Sequence, residues 1–179
     1  STIAVNPVTN PGTLSADAIV CSGNNAGTLN LTGNNGLVVR WESSNDNGNT
    51  WINIINSTTT LSYSNLTATT RYRALVQSGV CAPEYSNQIT ITADPVTVAG
   101  LLSADATVCA SNNAGLLILS GYTGSIVRWE NSVDNGNTWN SIPHNTDTLS
   151  YSNLNAQTKY RAVLQSVRCA GVLTNVITI

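Results

Sequence analysis

Apolar residues along this chain recur with a period of two, which is the spacing of a half-buried strand rather than a helix. Leu29 and Leu31 alternate with Thr28, Asn30 and Thr32. Leu37, Val39 and Trp41 are predicted to share one face of a strand, with Val38, Arg40 and Glu42 on the other. Tyr72, Ala74 and Val76 likewise oppose Arg71, Arg73 and Gln77, and Ile89 and Ile91 flank Thr90. Gly, Pro and Asn punctuate these runs at Gly12, Gly27, Asn35-Gly36, Asn47-Gly48 and Pro83. Roughly seven short strands at this spacing predict an antiparallel β-sandwich.

The pattern occurs twice. Sliding the chain by 88 residues superimposes its halves without a gap: Pro7-Val8-Thr9 returns at Pro95, Arg40-Trp41-Glu42 at Arg128, and Tyr63-Ser64-Asn65-Leu66 at Tyr151. The expectation is an all-β protein of two tandem domains, residues 1–92 and 93–179. Pro95 and its β-branched neighbours predict a short, extended junction over residues 92–97.

Two local features narrow the class. Trp41 and Trp129, each within an early-middle strand, fit the central Trp of immunoglobulin-like cores. The run from Leu66 through Thr70 to Tyr72, repeated as Leu154, Thr158 and Tyr160, resembles the Leu-x-Pro-x-Thr-x-Tyr run of fibronectin type III domains, with Ala in place of Pro. That resemblance implies a corner in which the Tyr hydroxyl bonds back to upstream backbone.

Four cysteines fall at 21, 81, 109 and 169, a pair 60 residues apart in each copy. The favoured expectation is Cys21–Cys81 and Cys109–Cys169, which makes each copy self-sufficient. The rivals are a Cys81–Cys109 rivet between copies and four buried thiols. A closed loop of that length contributes up to about 4 kcal/mol in the chain-entropy model, and disulfides imply an oxidising, extracytoplasmic location. Without a Cys-x-x-Cys spacing and with one His (His144), zinc is not expected, nor is any other cofactor.

Ser44, Asp46, Gly48 and Trp51, repeated as Ser132, Asp134, Gly136 and Trp139, resemble the Asp-box of sialidase propellers. The physics is that of a hairpin: Asp46 accepts backbone N–H bonds, Asn47-Gly48 supplies positive φ, and Trp51 packs beneath. One carboxylate is too few for a calcium site at Asp46 and Asn47. Arg40, Glu42 and Arg73, with Arg128, Glu130 and Arg161, form a charged ladder on an otherwise uncharged face. It reads either as cross-strand ion pairing or as a ligand-facing patch.

The few other carboxylates, Asp17 and Glu84 among them, do not converge as glycoside hydrolysis requires. His144 has Asn56 as its counterpart, so no triad repeats, and no enzyme is expected. With only 9% charged residues and net charge −2, the chain lacks the cationic surface of a nucleic-acid binder. No apolar run approaches the roughly 18 residues of a membrane helix. The chain reads as a piece of a longer polypeptide.

The full string, from Val20-Cys21 with Asn24-Asn25 and Gly27, through Trp41-Glu42 and Asp46-Asn47-Gly48 to Tyr72-Arg73-Ala74 and the second Cys, is similar to the immunoglobulin-like repeats of large Bacteroidota surface adhesins. These include the gliding-motility adhesin SprB and other type IX secretion cargo. The resemblance implies a tandem stalk at the outer cell surface. Its partners would be neighbouring repeats and, beyond them, surface polysaccharide or another cell-surface protein. The alternative is a carbohydrate- or protein-binding module of a secreted protein, with Tyr85 or Tyr122 as stacking platforms. Asp147-Thr148-Leu149 also resembles the O-glycosylation acceptor of Bacteroidota.

Overall fold

In a computed structural model, which describes residues 3–179, the alternating segments become seventeen strands in two units, Ser1–Asp94 and Pro95–Ile179. The division lies two residues beyond the expected one because the last strand of the first unit, β9 (Ile89–Asp94), runs through residue 92. Both units are immunoglobulin-like β-sandwiches.

In the first, β1 (Thr13–Leu14), β3 (Ala26–Thr32) and β6 (Thr60–Ser64) form one sheet. The facing sheet orders β2 (Ala18–Cys21), β9, β7 (Thr70–Gln77), β4 (Leu37–Ser44) and β5 (Ile52–Ile54), with the short β8 (Glu84–Tyr85) also on β7. All pairings are antiparallel except β2 with β9, which is parallel from Ala18↔Ile91 to Cys21↔Asp94. Between the sheets lie Leu14, Leu29, Leu31, Val38, Trp41, Tyr72, Val76 and Ile91. Trp41 is 0% exposed, and its indole N–H donates to the carbonyl of Thr58 at 3.0 Å. That bond removes the cost of burying the indole N–H and leaves the ring as the largest filler of the core.

The second unit repeats the layout. There β10 (Leu101–Leu102), β11 (Ala114–Ser120) and β14 (Thr148–Ser152) face β12 (Ser125–Ser132), β13 (Asn140–Ile142), β15 (Lys159–Gln165), β16 (Val172–Leu173) and β17 (Ile177–Thr178). Trp129 takes the place of Trp41, bonded to the carbonyl of Thr146 at 3.0 Å.

Three expectations are corrected. The first concerns the faces of β4. The ladder to β7 pairs Val38 with Val76 but Arg40 with Leu75, so Val39 is a bulge. An extra residue switches the face that follows, and Val38 joins Trp41 in the core while Leu37 is 81% exposed. The same shift recurs between Ile126 and Arg128.

The second concerns the tyrosine corner. Among the described residues no hydrogen bond reaches the hydroxyl of Tyr72 or Tyr160. Tyr72 instead stacks on Tyr63 at 6.3 Å between centroids, and Tyr160 lies beside Tyr151 at 6.4 Å. Burial pushes both buried phenols above their ordinary pKa.

The third concerns the cysteines. Cys81 and Cys109 are free thiols, so neither Cys21–Cys81 nor Cys109–Cys169 forms, whereas Cys21 and Cys169 are disulfide-bonded. The reason is the path of the strands. Cys21 stands beside Asp94, beyond the point where Ile91 faces Thr70 at the start of β7. Cys81 lies past the other end of β7, in a turn closed by its N–H on the carbonyl of Ser78. The eight residues of β7 span about 26 Å at roughly 3.3 Å each, far beyond the ~7 Å between Cα atoms that a disulfide tolerates. Each domain therefore carries one cysteine near each end.

Candidate functional site

The charged ladder lies on the outer face of the larger sheet, where β4, β7 and β8 run side by side. Glu42 and Arg73 are direct cross-strand partners. Arg73 donates from Nε to Glu42 Oε2 at 2.7 Å, and Arg40 donates from Nε to Oε1 at 2.8 Å. Both guanidiniums add an Nη2 contact at 2.7 Å, so each is a two-point clamp on the carboxylate. The Tyr85 hydroxyl donates to Oε1 at 3.2 Å and accepts from Arg40 at 3.2 Å. Although Glu42 faces away from the core, it is only 2% exposed. Burial pushes its carboxyl pKa up, but the hydrogen bonds from Arg73 and Arg40 outweigh that and hold it below the ordinary value.

Arg73 is also covered on its flat faces. Its guanidinium carbon lies 4.0 Å from the ring centroid of Trp51 and 3.9 Å from that of Tyr85, a cation–π arrangement favoured by the ring quadrupole. In the second copy Arg128 holds Glu130 Oε1 from Nε and Nη2, Arg161 donates from Nε to Oε2 at 2.7 Å, and Arg161 lies 3.9 Å from the Trp139 centroid. Leu173 replaces Tyr85, so that cover is one-sided. Both oxygens of each ladder carboxylate are thus engaged within the domain.

The hairpin after β4 holds the Trp of this stack. Asn47 (φ 64°) and Gly48 (φ 91°) are both left-handed, as a tight turn between right-twisted strands requires. Ser44 donates to Asp46 Oδ1 at 2.7 Å and accepts the Gly48 N–H at 2.9 Å. Thr50 supplies its N–H to Oδ1 at 2.9 Å and its hydroxyl to Oδ2 at 2.5 Å. Those bonds from Thr50, with the one from Ser44, lower the Asp46 pKa to about 2. Trp51 ties its indole N–H to the Gly48 carbonyl at 3.0 Å. Ser132, Asp134, Gly136 and Trp139 reproduce every one of these contacts, and Asp134 is likewise pushed well below the ordinary carboxylate range. Both carboxylate oxygens of each Asp serve the turn itself.

The remaining sequence candidates are spread apart. Asp17 and Asp105 accept backbone N–H bonds from Thr90 and Thr178, each at 2.6 Å, and so tie a loop to the last strand. His144 Nε2 lies 2.6 Å from the Thr148 carbonyl and 2.7 Å from the Thr146 hydroxyl, within one loop. Tyr122 is partly buried against the second core, and one face of Tyr85 is taken by Arg73. Sequence reasoning placed Trp51 beneath its hairpin and missed its stacking on Arg73. The only signal was that Arg73 and Trp51 recur together as Arg161 and Trp139.

In the second copy an open groove of about 600 Å³ is lined by Asp105, Val108, Leu154, Gln157, Thr178 and Ile179.

Tandem immunoglobulin-like domains, each braced by an Arg–Glu–Arg clamp and an Asp-capped hairpin, define the class of this protein. The chain belongs to the DUF8696 family, a domain of unknown function, whose family model matches residues 10–95 and again residues 98–179. No curated protein matches it. Among 161 matching chains of solved structures is a crystal structure of Dscam1 isoform 9.44, comprising its N-terminal four Ig domains with zinc. It is similar at 11% identity and a TM-score of 0.48 over 98% of this chain and 47% of that one. The chain thus spans about half the length of that structure.

Proposed function

We propose that the chain is a spacer in an extracellular stalk, two links of a long tandem array in a bacterial surface adhesin of the Bacteroidota gliding and type IX secretion type. The observation that carries this reading is the parallel pairing of β2 with β9. A strand near the start of the domain lies beside its last strand, in register over Ala18–Cys21. Tension applied to the two ends pulls such strands past each other, so the ladder bonds share the load instead of parting one at a time. The clamps support the same reading. Glu42, Arg73 and Asp46 spend their polar atoms on the domain's own strands and turn, as a strut would, rather than presenting them to substrate or ligand. Disulfide-bonded Cys21 and Cys169 agree with a location outside the cytoplasm.

Single-molecule stretching of the whole chain tests this. With the disulfide reduced, the wild type should give two discrete unfolding events. Val20→Pro, which removes a donor within β2, should lower the force of one event and leave the other in place. An unchanged force in that variant, or saturable binding of a surface glycan abolished by Arg73→Ala, would overturn the spacer reading in favour of a binding module.

A further inference from the structure

The chain holds three Asn-Gly pairs, Asn35-Gly36, Asn47-Gly48 and Asn135-Gly136. Such a pair can react with itself, the backbone nitrogen of the glycine attacking Cγ of the asparagine side chain. A residue without Cβ leaves that nitrogen open and its backbone free to turn. The step then depends on how the peptide between the two residues is held, because that peptide must rotate until its nitrogen faces the side-chain amide.

Two of the three peptides are pinned at both ends. The Gly48 N–H donates to Ser44 Oγ at 2.9 Å, and the Asn47 carbonyl accepts from Arg71 Nη1 at 3.0 Å. In the second copy the Gly136 N–H donates to Ser132 Oγ at 2.9 Å, and the Asn135 carbonyl accepts from Lys159 Nζ at 3.2 Å. Ser44 and Ser132 are 2% and 1% exposed, so water does not compete for either hydroxyl. The Asp46 and Asp134 carboxylates each receive the serine proton at 2.7 Å, which aims the hydroxyl lone pairs at the glycine N–H.

The third peptide is loosely held. Asn35 is exposed, in the connection between β3 and β4. Its carbonyl accepts a long bond from the Asn10 N–H at 3.3 Å, and its side-chain amide reaches the Val8 carbonyl at 3.3 Å. Among the described residues the Gly36 N–H meets no acceptor. The second copy has Thr123-Gly124 at this place, so the reacting amide is peculiar to the first.

We propose that Asn35 is a self-modification site of the native protein, converted to aspartate or isoaspartate, and that Ser44 and Ser132 protect the other two pairs from the same reaction. The Gly36 nitrogen gives up its proton and bonds to Asn35 Cγ, the Cγ–Nδ2 bond breaks, and ammonia leaves with that proton. Solvent water then opens the cyclic imide, and no electrons are exchanged. Attack at Cγ gives aspartate. Attack at the main-chain carbonyl leaves Gly36 joined through Cγ, which lengthens the connection and slackens the Asn10–Asn35 bridge. Either product adds a negative charge. The inference is independent of the spacer reading, since it concerns single peptides within each domain.

The test incubates the whole chain in mildly alkaline buffer and maps its peptides by mass spectrometry with electron-transfer fragmentation, which separates aspartate from isoaspartate. Asn35 should convert about tenfold faster than Asn47 or Asn135, a ratio equivalent to one hydrogen bond. In denaturant with reductant the three rates should converge, because the reacting dipeptide is the same. Asn35→Thr, which installs the residue of the second copy, should remove the acidic variant that accumulates on ion exchange. Ser44→Ala should speed conversion of Asn47 about tenfold and leave Asn135 unchanged. Arg71→Ala releases the other end of the same peptide and should act in the same direction, should the serine variant fail to fold; melting curves show which variants are folded. Conversion of Asn47 or Asn135 at the Asn35 rate in the folded protein would overturn the proposal. So would an Asn35 that stays intact while the denatured chain reacts, or an Asn47 rate indifferent to the loss of its pins.

Discussion

Tyr63 stands directly across the β3–β6 ladder from Gly27, and its ring fills the space that a Cβ at Gly27 would take, with the hydroxyl and Cζ within 2.5 Å of that position. Gly115 and Tyr151 repeat the pair. An aromatic ring laid over a strand glycine shields exposed backbone and restores the packing that the missing side chain forgoes. Gly27→Ala should push Tyr63 off its neighbour Tyr72 and destabilise the first domain by about 1 kcal/mol, the worth of an aromatic pair. Urea unfolding checks this, and Tyr63→Ala in the same background should cost little more.

Glu42→Ala leaves the Arg40 and Arg73 guanidiniums side by side without their shared acceptor. Both arginines retain some exposure, so they regain water, and the expected loss is about 1.5–3 kcal/mol, the range for hydrogen bonds to a charged group. That is less than for a pair sealed from solvent. Arg73→Lys should recover little, because a point charge replaces neither the two-point clamp nor the stack on Trp51. Equilibrium denaturation of the three proteins provides the measurement.

Acid should loosen both domains in a defined window. The Asp46 carboxyl, ordinarily near 3.8, is held at about 2 by Thr50 and Ser44, and Asp134 and Glu42 are shifted in the same direction. A carboxyl with a depressed folded pKa releases its proton more readily in the native state. Its contribution is therefore complete above the unfolded pKa and is lost as pH falls through the folded one. The melting temperature should be flat above pH ~5 and fall between about pH 4 and pH 2. Asp46→Asn with Asp134→Asn should flatten that fall while lowering the plateau.

Thiol labelling separates the cysteines. Iodoacetamide applied to the folded, unreduced protein should alkylate Cys109, which is exposed, and more slowly Cys81, which is half-buried. Cys21 and Cys169 should react only after reduction. Peptide mass spectrometry reads the pattern, and protection of all four sites in the monomer would contradict the observed thiols.

Much of the architecture was legible before any coordinates. The repeat length, the strands around Leu29, Tyr72 and Ile89, and the turn at Asn47-Gly48 follow from local rules that each act within a few residues: strand alternation, and the positive φ a tight turn demands. The Arg40–Glu42–Arg73 ladder was visible as a pattern, but its closure was not. Whether a carboxylate on an outer face meets solvent depends on Trp51 and Tyr85, which arrive from a hairpin and a short edge strand.

What the sequence by itself determined was the doubling of one strand-rich unit and the chemistry available to it, because those are properties of neighbours along the chain. What only the tertiary structure decided was the face of β4 and the fate of the cysteines. One bulged residue at Val39 reverses the inside and outside of every position before it, and the length of β7 separates Cys21 from Cys81 by more than any disulfide can span. Both outcomes depend on register and strand length across a sheet, where partners distant in sequence set the geometry.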